Sequence, residues 1–163
     1  MKILGIDYSI TSPAMCFGGL GSSFEDLRFI GFTRPMKKAF YPESFENVTL
    51  HEYPQAWSSN EHRYDIVSDL LLGSLSDSLT GLRSYDIVCF EGYAYAANGN
   101  VFDIAEATSV MKMKLYRNGN VVNTAAPSEV KKHATGKGNA NKLMMLMPSL
   151  RKREEKIGKK DSG

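Results

Sequence analysis

An α/β fold is what this chain predicts: a mixed five-stranded sheet, its first three strands antiparallel, flanked by helices. Three observations carry that expectation. An apolar run at the N-terminus ends in Asp7, two glycine-punctuated apolar runs follow at once, and a further apolar run, beyond a helical segment, ends in Glu91. At 163 residues with 42% hydrophobic content the chain has material for one domain with its own core.

Ile3-Leu4-Gly5-Ile6 has the pattern of a buried strand, and Asp7 closes it. A carboxylate at the tip of a buried strand is costly to desolvate unless it meets a cation, a donor or water. The local alternative is a turn-forming role for Asp7 on the amides that follow. Tyr8-Ser9-Ile10-Thr11-Ser12-Pro13 is a polar turn, and 14–20 and 24–33 read as strands joined by Gly18-Gly19 and Gly21-Ser22-Ser23. Over 34–60, prolines at 35, 42 and 54 and scattered aromatics (Phe40, Tyr41, Phe45, Tyr53, Trp57) predict an irregular insertion loop. Those aromatics either cover the core edge or stack on bases. Ser58 with Glu61 fits a capping box, opening an amphipathic helix through Val67, Leu71, Leu75 and Leu79 that ends at Gly81.

Tyr85-Asp86-Ile87-Val88-Cys89-Phe90 then leads to Glu91. A strand that follows a helical crossover belongs in the middle of the sheet. If it lies parallel to and beside the first strand, Asp7 and Glu91 emerge at one sheet edge. Two carboxylates there repel each other unless a divalent cation sits between them. Oxygen ligands favour Mg²⁺ or Mn²⁺, and no His/Cys spacing supports zinc. The loop 92–100 carries Tyr93 and Tyr95, which can stack. Asn100 caps a helix over 101–116 whose apolar face (Val101, Ile104, Ala105, Thr108, Met111, Leu115) packs on the sheet or on a second copy of itself. A last short strand occupies 121–124.

Charge is segregated along the chain. Residues 1–126 carry 10 basic and 14 acidic side chains, and 127–163 carry 10 basic and 4 acidic, so the net charge of +2 divides into −4 and +6. Such a basic block fits a phosphate-backbone binder or a solvated tail. Within it, Ser128 starts a short helix bearing Lys131 and Lys132, Gly136-Lys137-Gly138 is a flexible basic turn, and Asn139 begins another helix with Lys142 in its first turn. His133 is a surface residue or a proton donor to a leaving group. The Gly-Lys-Ser/Thr of a Walker A loop is absent. Cys16 and Cys89 fall in strand-like runs and read as buried free thiols of a reducing cytoplasm. No apolar run reaches the length of a membrane span, and no secretory signal opens the chain.

GIDYSITSPAMC, IVCFEGYAYAANG and APSEVKKHATGKGNANK, in that order, resemble the RuvC family of Holliday junction resolvases within the RNase H-like superfamily, particularly its phage-encoded branch. The likeness runs from Met1 to about Lys142, with 34–60 poorly matched. It implies an RNase H-like fold, a single nuclease domain over 1–163, and a homodimer, here through the 101–116 helix, that resolves four-way DNA in the cytoplasm of a bacterial host. In that family four acids at one sheet edge hold two Mg²⁺ ions. Asp7 and Glu91 match the first two, and Asp161 stands at the interval of the third. The fourth position would be residue 164, so the final helix is expected to continue past Gly163. Glu154, Glu155, Asp103 and Glu106 are the alternative acids. Lys131 and Lys142 match a lysine pair that neutralises transition-state charge. Tyr93, Tyr95, Lys132, Lys137, Asn139 and Lys142 are the expected DNA contacts. Two other classes stay open: a junction or single-strand DNA-binding protein that does not cut, and an actin-like ATPase, which also begins with a strand ending in Gly-Ile-Asp.

Overall fold

The computed structural model describes residues 1–33, 46–53, 57–77, 81–82, 85–92, 101–141 and 144–145. Tyr93, Tyr95, Asn100, Lys142, Glu154, Glu155, Asp161, Leu79 and the 34–45 part of the expected loop lie outside them.

β1 (Lys2–Asp7) pairs antiparallel with β2 (Ala14–Gly19), which pairs antiparallel with β3 (Arg28–Thr33). β3 starts later than 24, because Phe24–Asp26 is a turn of 3-10 helix in which the Asp26 carboxylate accepts from the Ser23 hydroxyl at 2.8 Å. Among the described residues the sheet has six strands rather than five. β4 (Val48–Glu52) runs parallel to β3 from Val48 opposite Phe29 to Glu52 opposite Thr33. This strand lies in the stretch expected to be irregular. Beyond Val48 its side chains are exposed, so it has no alternating apolar signal to read. Its anchors are aromatic: His51 stacks on Phe32 at 5.1 Å, and Tyr53 meets Phe32 edge-on at 6.5 Å.

α1 (Asn60–Leu75) begins one residue later than the Ser58 box implies. Ser59 is the cap, its Oγ accepting from His62 N–H at 3.2 Å and its carbonyl from Arg63 N–H at 3.1 Å. The helix stops at Leu75 and not at Gly81, because β5 (Ser76–Asp77) turns back to pair with β6 (Gly81–Leu82). Next, β7 (Ile87–Glu91) lies parallel to β1, α2 (Val101–Arg117) follows, and β8 (Val122–Ala125) joins the far side of β7.

Leu4, Ile6, Met15, Val88 and Phe90 form one core with Tyr64, Val67, Leu71 and Leu75 of α1 and Ala107, Met111 and Leu115 of α2. Strand residues of one parity therefore face both helices. Lys114 clasps the helix pair, its Nζ lying 2.6 Å from Asp65 Oδ1 and 2.6 Å from Asp69 Oδ1. Burial alone would lower the Lys114 pKa, but the bonds to these two carboxylates leave it raised. Asn120, buried, accepts from Tyr85 N–H at 3.0 Å and donates to Leu115 O at 3.2 Å, tying the end of α2 to the entry of β7.

Cys16 and Cys89 are half-buried and free, and both stand in register with Gly5, one on each side of it. Two strand spacings put their Cα atoms roughly 9.6 Å apart, beyond disulfide reach. Among the described residues no helix is long and apolar enough to cross a membrane. The chain divides into two units, Met1–Thr124 and Ala125–Gly163; the second contains α3 (Pro127–Thr135).

Candidate active site

β1 and β7 are locked together at their starting ends. Lys2 N–H donates to the Asp86 carboxylate at 2.6 Å, and Asp86 N–H returns a bond to Lys2 O at 3.0 Å. From there the register runs Ile3–Ile87, Leu4–Val88, Gly5–Cys89 and Ile6–Phe90. Each strand continues one residue further, to Asp7 and to Glu91. Adjacent strands are about 4.8 Å apart, so these two carboxylates leave neighbouring strand ends. Ile6 and Phe90 point into the helix-covered core, and the alternation of a strand sends Asp7 and Glu91 to the opposite face. Asp7 is exposed and Glu91 half-buried.

The turn after Asp7 is built in detail. Tyr8 is buried, its hydroxyl 3.4 Å from Ser68 Oγ on α1. Burial pushes its pKa up to about 12, against the lowering effect of the Ser68 bond. Ser9 Oγ accepts from Thr11 N–H and from Ser12 N–H, both at 3.3 Å. The Ile10 carbonyl accepts two bonds, from Tyr53 Oη at 2.8 Å and from Arg63 Nη2 at 2.5 Å. Pro13, whose carbonyl accepts from Phe32 N–H at 2.9 Å, then feeds β2.

In the second unit, α3 starts at Pro127 with Ala126 as its cap, one residue ahead of the expected Ser128 start. The Glu129 carboxylate accepts from Ala126 N–H at 2.8 Å, which supplies the reciprocal half of a capping box. Lys132 and His133 fall in the last turn, where a helix dipole favours positive charge, and both are exposed; Lys131 is half-buried. The Gly136-Lys137-Gly138 segment is an ordered cap and not a flexible turn. Gly136 takes φ +79°, its N–H donating to Lys132 O at 2.8 Å, and Lys137 N–H donates to Thr135 Oγ1 at 3.2 Å. Gly138 packs so near α3 that a Cβ there would lie 3.2 Å from Ser128 O. The Gly136 and Lys137 amides are therefore spent internally. The next helical turn is capped by Asn141, not Asn139. Asn141 Oδ1 accepts from Met144 N–H at 2.9 Å, and Asn141 O accepts from Met145 N–H at 3.1 Å. Asn139 is exposed, as is Lys137.

Two adjacent carboxylates are a hard oxygen donor pair that fits Mg²⁺ or Mn²⁺. Among the described residues no group of three or more His, Cys, Asp or Glu side chains is placed to hold a metal ion. Glu106 instead lines an open cleft of about 580 Å³ between α1 and α2 with Glu61, His62, Tyr64, Asp65 and Val110. That cleft is on the helix layer, which the strand parity separates from Asp7 and Glu91. Arg63 is the site-adjacent residue that sequence patterns do not single out, whereas Tyr53, one of the loop aromatics, takes the core-edge position that was one of its two expected roles. Arg63 sits in a helix first turn, where it reads as a surface charge, and Tyr53 belongs to the stretch read as irregular.

No protein-family model and no curated protein matches the chain. Solved structures do. The chain is similar to a Thermus thermophilus RuvC structure, 17% identical over 91% of this chain and 77% of that one, with a TM-score of 0.57. It is likewise similar to T. thermophilus RuvC in complex with a Holliday junction substrate, 17% identical over 91% and 76% of the two chains, with a TM-score of 0.59. At that identity the likeness is one of fold: the antiparallel β1–β3 meander, the parallel β1–β7 pair and the flanking helices form an RNase H-like fold shared with RuvC.

Proposed function

We propose that this chain is a metal-dependent, structure-selective DNA endonuclease that resolves four-way or other branched DNA by phosphodiester hydrolysis. The observation that carries the reading is the pair of acids, Asp7 and Glu91, at neighbouring ends of parallel strands in an RNase H-like fold. Their joint negative charge makes a divalent cation the natural third party. With two cations bound, as the family resemblance implies, the metal supplies a water of lowered pKa and offsets charge at the leaving 3′ oxygen. Asp7 and Glu91 hold the ions and orient the scissile phosphate. Asp161, outside the described residues, is proposed as a further ligand.

Lys131 and Lys142 take the transition-state charge, while Lys132, Lys137, Asn139, Tyr93 and Tyr95 contact DNA. The exposed Lys132 and Lys137 support that reading, as does the +6 balance of 127–163. A homodimer through α2 is supported by its outward stripe: Phe102, Met113 and Tyr116 are 84%, 52% and 73% exposed at spacings that return to one helix face. Met113→Glu is expected to halve the mass measured by light scattering. A single-domain arrangement and a cytoplasmic setting belong to the same proposal.

The test is cleavage of a synthetic four-way junction in Mn²⁺ by this chain and by Asp7→Asn. Cutting by the first and not by the second supports the enzyme. Tight junction binding by both, indifferent to metal and with no cutting, would establish the non-cutting binder. That second reading draws its support from the absence of a third acid beside Asp7 and Glu91 among the described residues.

A further inference from the structure

The Ile10 carbonyl, three residues past Asp7, is gripped from two sides, and the residues that grip it come from elements far apart in the chain. Tyr53 follows β4 and Arg63 lies in the first turn of α1. The Arg63 guanidinium also lies over the Tyr53 ring, 5.8 Å from its centroid, and Trp57 meets that ring edge-on at 5.6 Å. Arg63 is half-buried and makes no ion pair among the described residues, and its Nε is buried without a partner. A cation desolvated against a neutral carbonyl is costly by the ordinary logic of folding, since a carboxylate or water would serve the guanidinium better. What the arrangement accomplishes is local: it fixes the turn on which Asp7 ends. Tyr8 is buried in the core on one side of that turn and Pro13 is bonded to β3 on the other, so the Ile10 grip closes a frame around Ser9–Ser12.

We infer that Arg63 and Tyr53 are positioning residues for Asp7, setting through the Ile10 carbonyl how tightly the Asp7–Glu91 pair takes a divalent cation. This rests on the metal-binding reading above and deepens it. Neither side chain is a metal ligand. Each removes freedom from the backbone that leaves the carboxylate, so that the two acids are already spaced for one ion when it arrives. Because both donors share one acceptor, their effects are expected to be coupled and not additive.

The experiment measures Mn²⁺ binding, by water-proton relaxation, to the full chain and to its Asp7→Asn, Tyr53→Phe and Arg63→Lys variants, with metal-free melting curves and junction affinity in EDTA for each. Tyr53→Phe removes one oxygen and Arg63→Lys keeps the charge, so both are expected to fold. The expected result is loss of the Mn²⁺ site in Asp7→Asn and about three- to tenfold weaker Mn²⁺ binding in Tyr53→Phe and Arg63→Lys. The double variant should be weakened by less than the product of the two, and junction affinity in EDTA should be unchanged in Tyr53→Phe and Arg63→Lys. If the two variants melt lower yet bind Mn²⁺ as the parent does, the positioning role is overturned and the grip is merely structural. If Asp7→Asn itself leaves Mn²⁺ binding untouched, the metal reading falls first and takes this inference with it.

Discussion

The two ends of the β1–β7 pair carry the same chemistry and use it differently. At the starting end Asp86 accepts a bond from Lys2 N–H and returns one from its own amide, so its charge is spent on register. At the finishing end the Asp7 backbone pairs with Ala14, but its carboxylate makes no hydrogen bond or ion pair among the described residues, one step past a β1–β7 register that is fixed behind it. The difference shows what separates a structural carboxylate from a candidate ligand. Residue type and strand position do not; the presence of a donor already in place does. A fold that locks one end of a strand pair tolerates, at the other, a carboxylate such as that of Asp7 with no partner among the described residues, because the register no longer depends on it.

The widest gap between the two ends should appear in activity. Asp7→Asn is expected to lower junction cleavage by about a hundredfold or more, measured under single-turnover conditions in Mn²⁺. Its metal-free melting temperature should stay level or rise, since no described bond is lost. Asp86→Asn inverts the pattern. It should leave cleavage near the parent rate and destabilise the chain by about 1 kcal/mol, a charge-assisted bond discounted for exposure, read from urea denaturation. If Asp86→Asn cost as much activity as Asp7→Asn, the division of labour between the two ends would be wrong.

Much of this was legible in residue patterns. The acid-tipped runs ending at Asp7 and Glu91 carry their strand assignments in their own apolar content, and Val67, Leu71, Leu75, Met111 and Leu115 announce the buried faces of α1 and α2 through their spacing. β4 was not legible, because an edge strand with four exposed residues out of five is held by ring contacts to β3 and not by alternation. Helix ends shifted by a residue or more wherever two neighbouring polar residues competed for the cap, as Ser58 with Ser59 and Asn139 with Asn141. The Arg63–Ile10 contact spans 53 positions, and nothing local in either segment encodes it. Such long-range pairs are set by the fold as a whole, and a linear motif cannot carry them.

A smaller effect separates the acidic strand ends from the basic second unit. Lys131→Gln and Lys132→Gln should each reduce the slope of log affinity against log salt by about 0.9 if the residue pairs with a phosphate. The measurement is junction binding in EDTA at several salt concentrations, where metal plays no part. A slope unchanged by Lys132→Gln would make that exposed lysine a solvated charge, and the contrast between the two units would then rest on Lys131 alone.

The finest prediction concerns Tyr8, the residue that turns from the β1 end into the core. Its pKa is raised from 10.0 to about 12, chiefly by burial, so folding favours the protonated phenol. A group raised in the folded state contributes its stability fully below its unfolded pKa and loses it as pH rises through the folded one. Stability should therefore decline between about pH 10 and 12. Tyr8→Phe cannot ionise, so it should flatten that decline in a melting-temperature profile. At neutral pH it forfeits only the long Ser68 contact of 3.4 Å, a small loss. Because Tyr8 adjoins Asp7, the same titration shows whether the Asp7 end loosens before the sheet does. A phenolate absorbance change that Tyr8→Phe lacks, rising ahead of the loss of far-ultraviolet signal, would place the weak point in the turn, whereas simultaneous changes would make Tyr8 part of the general core.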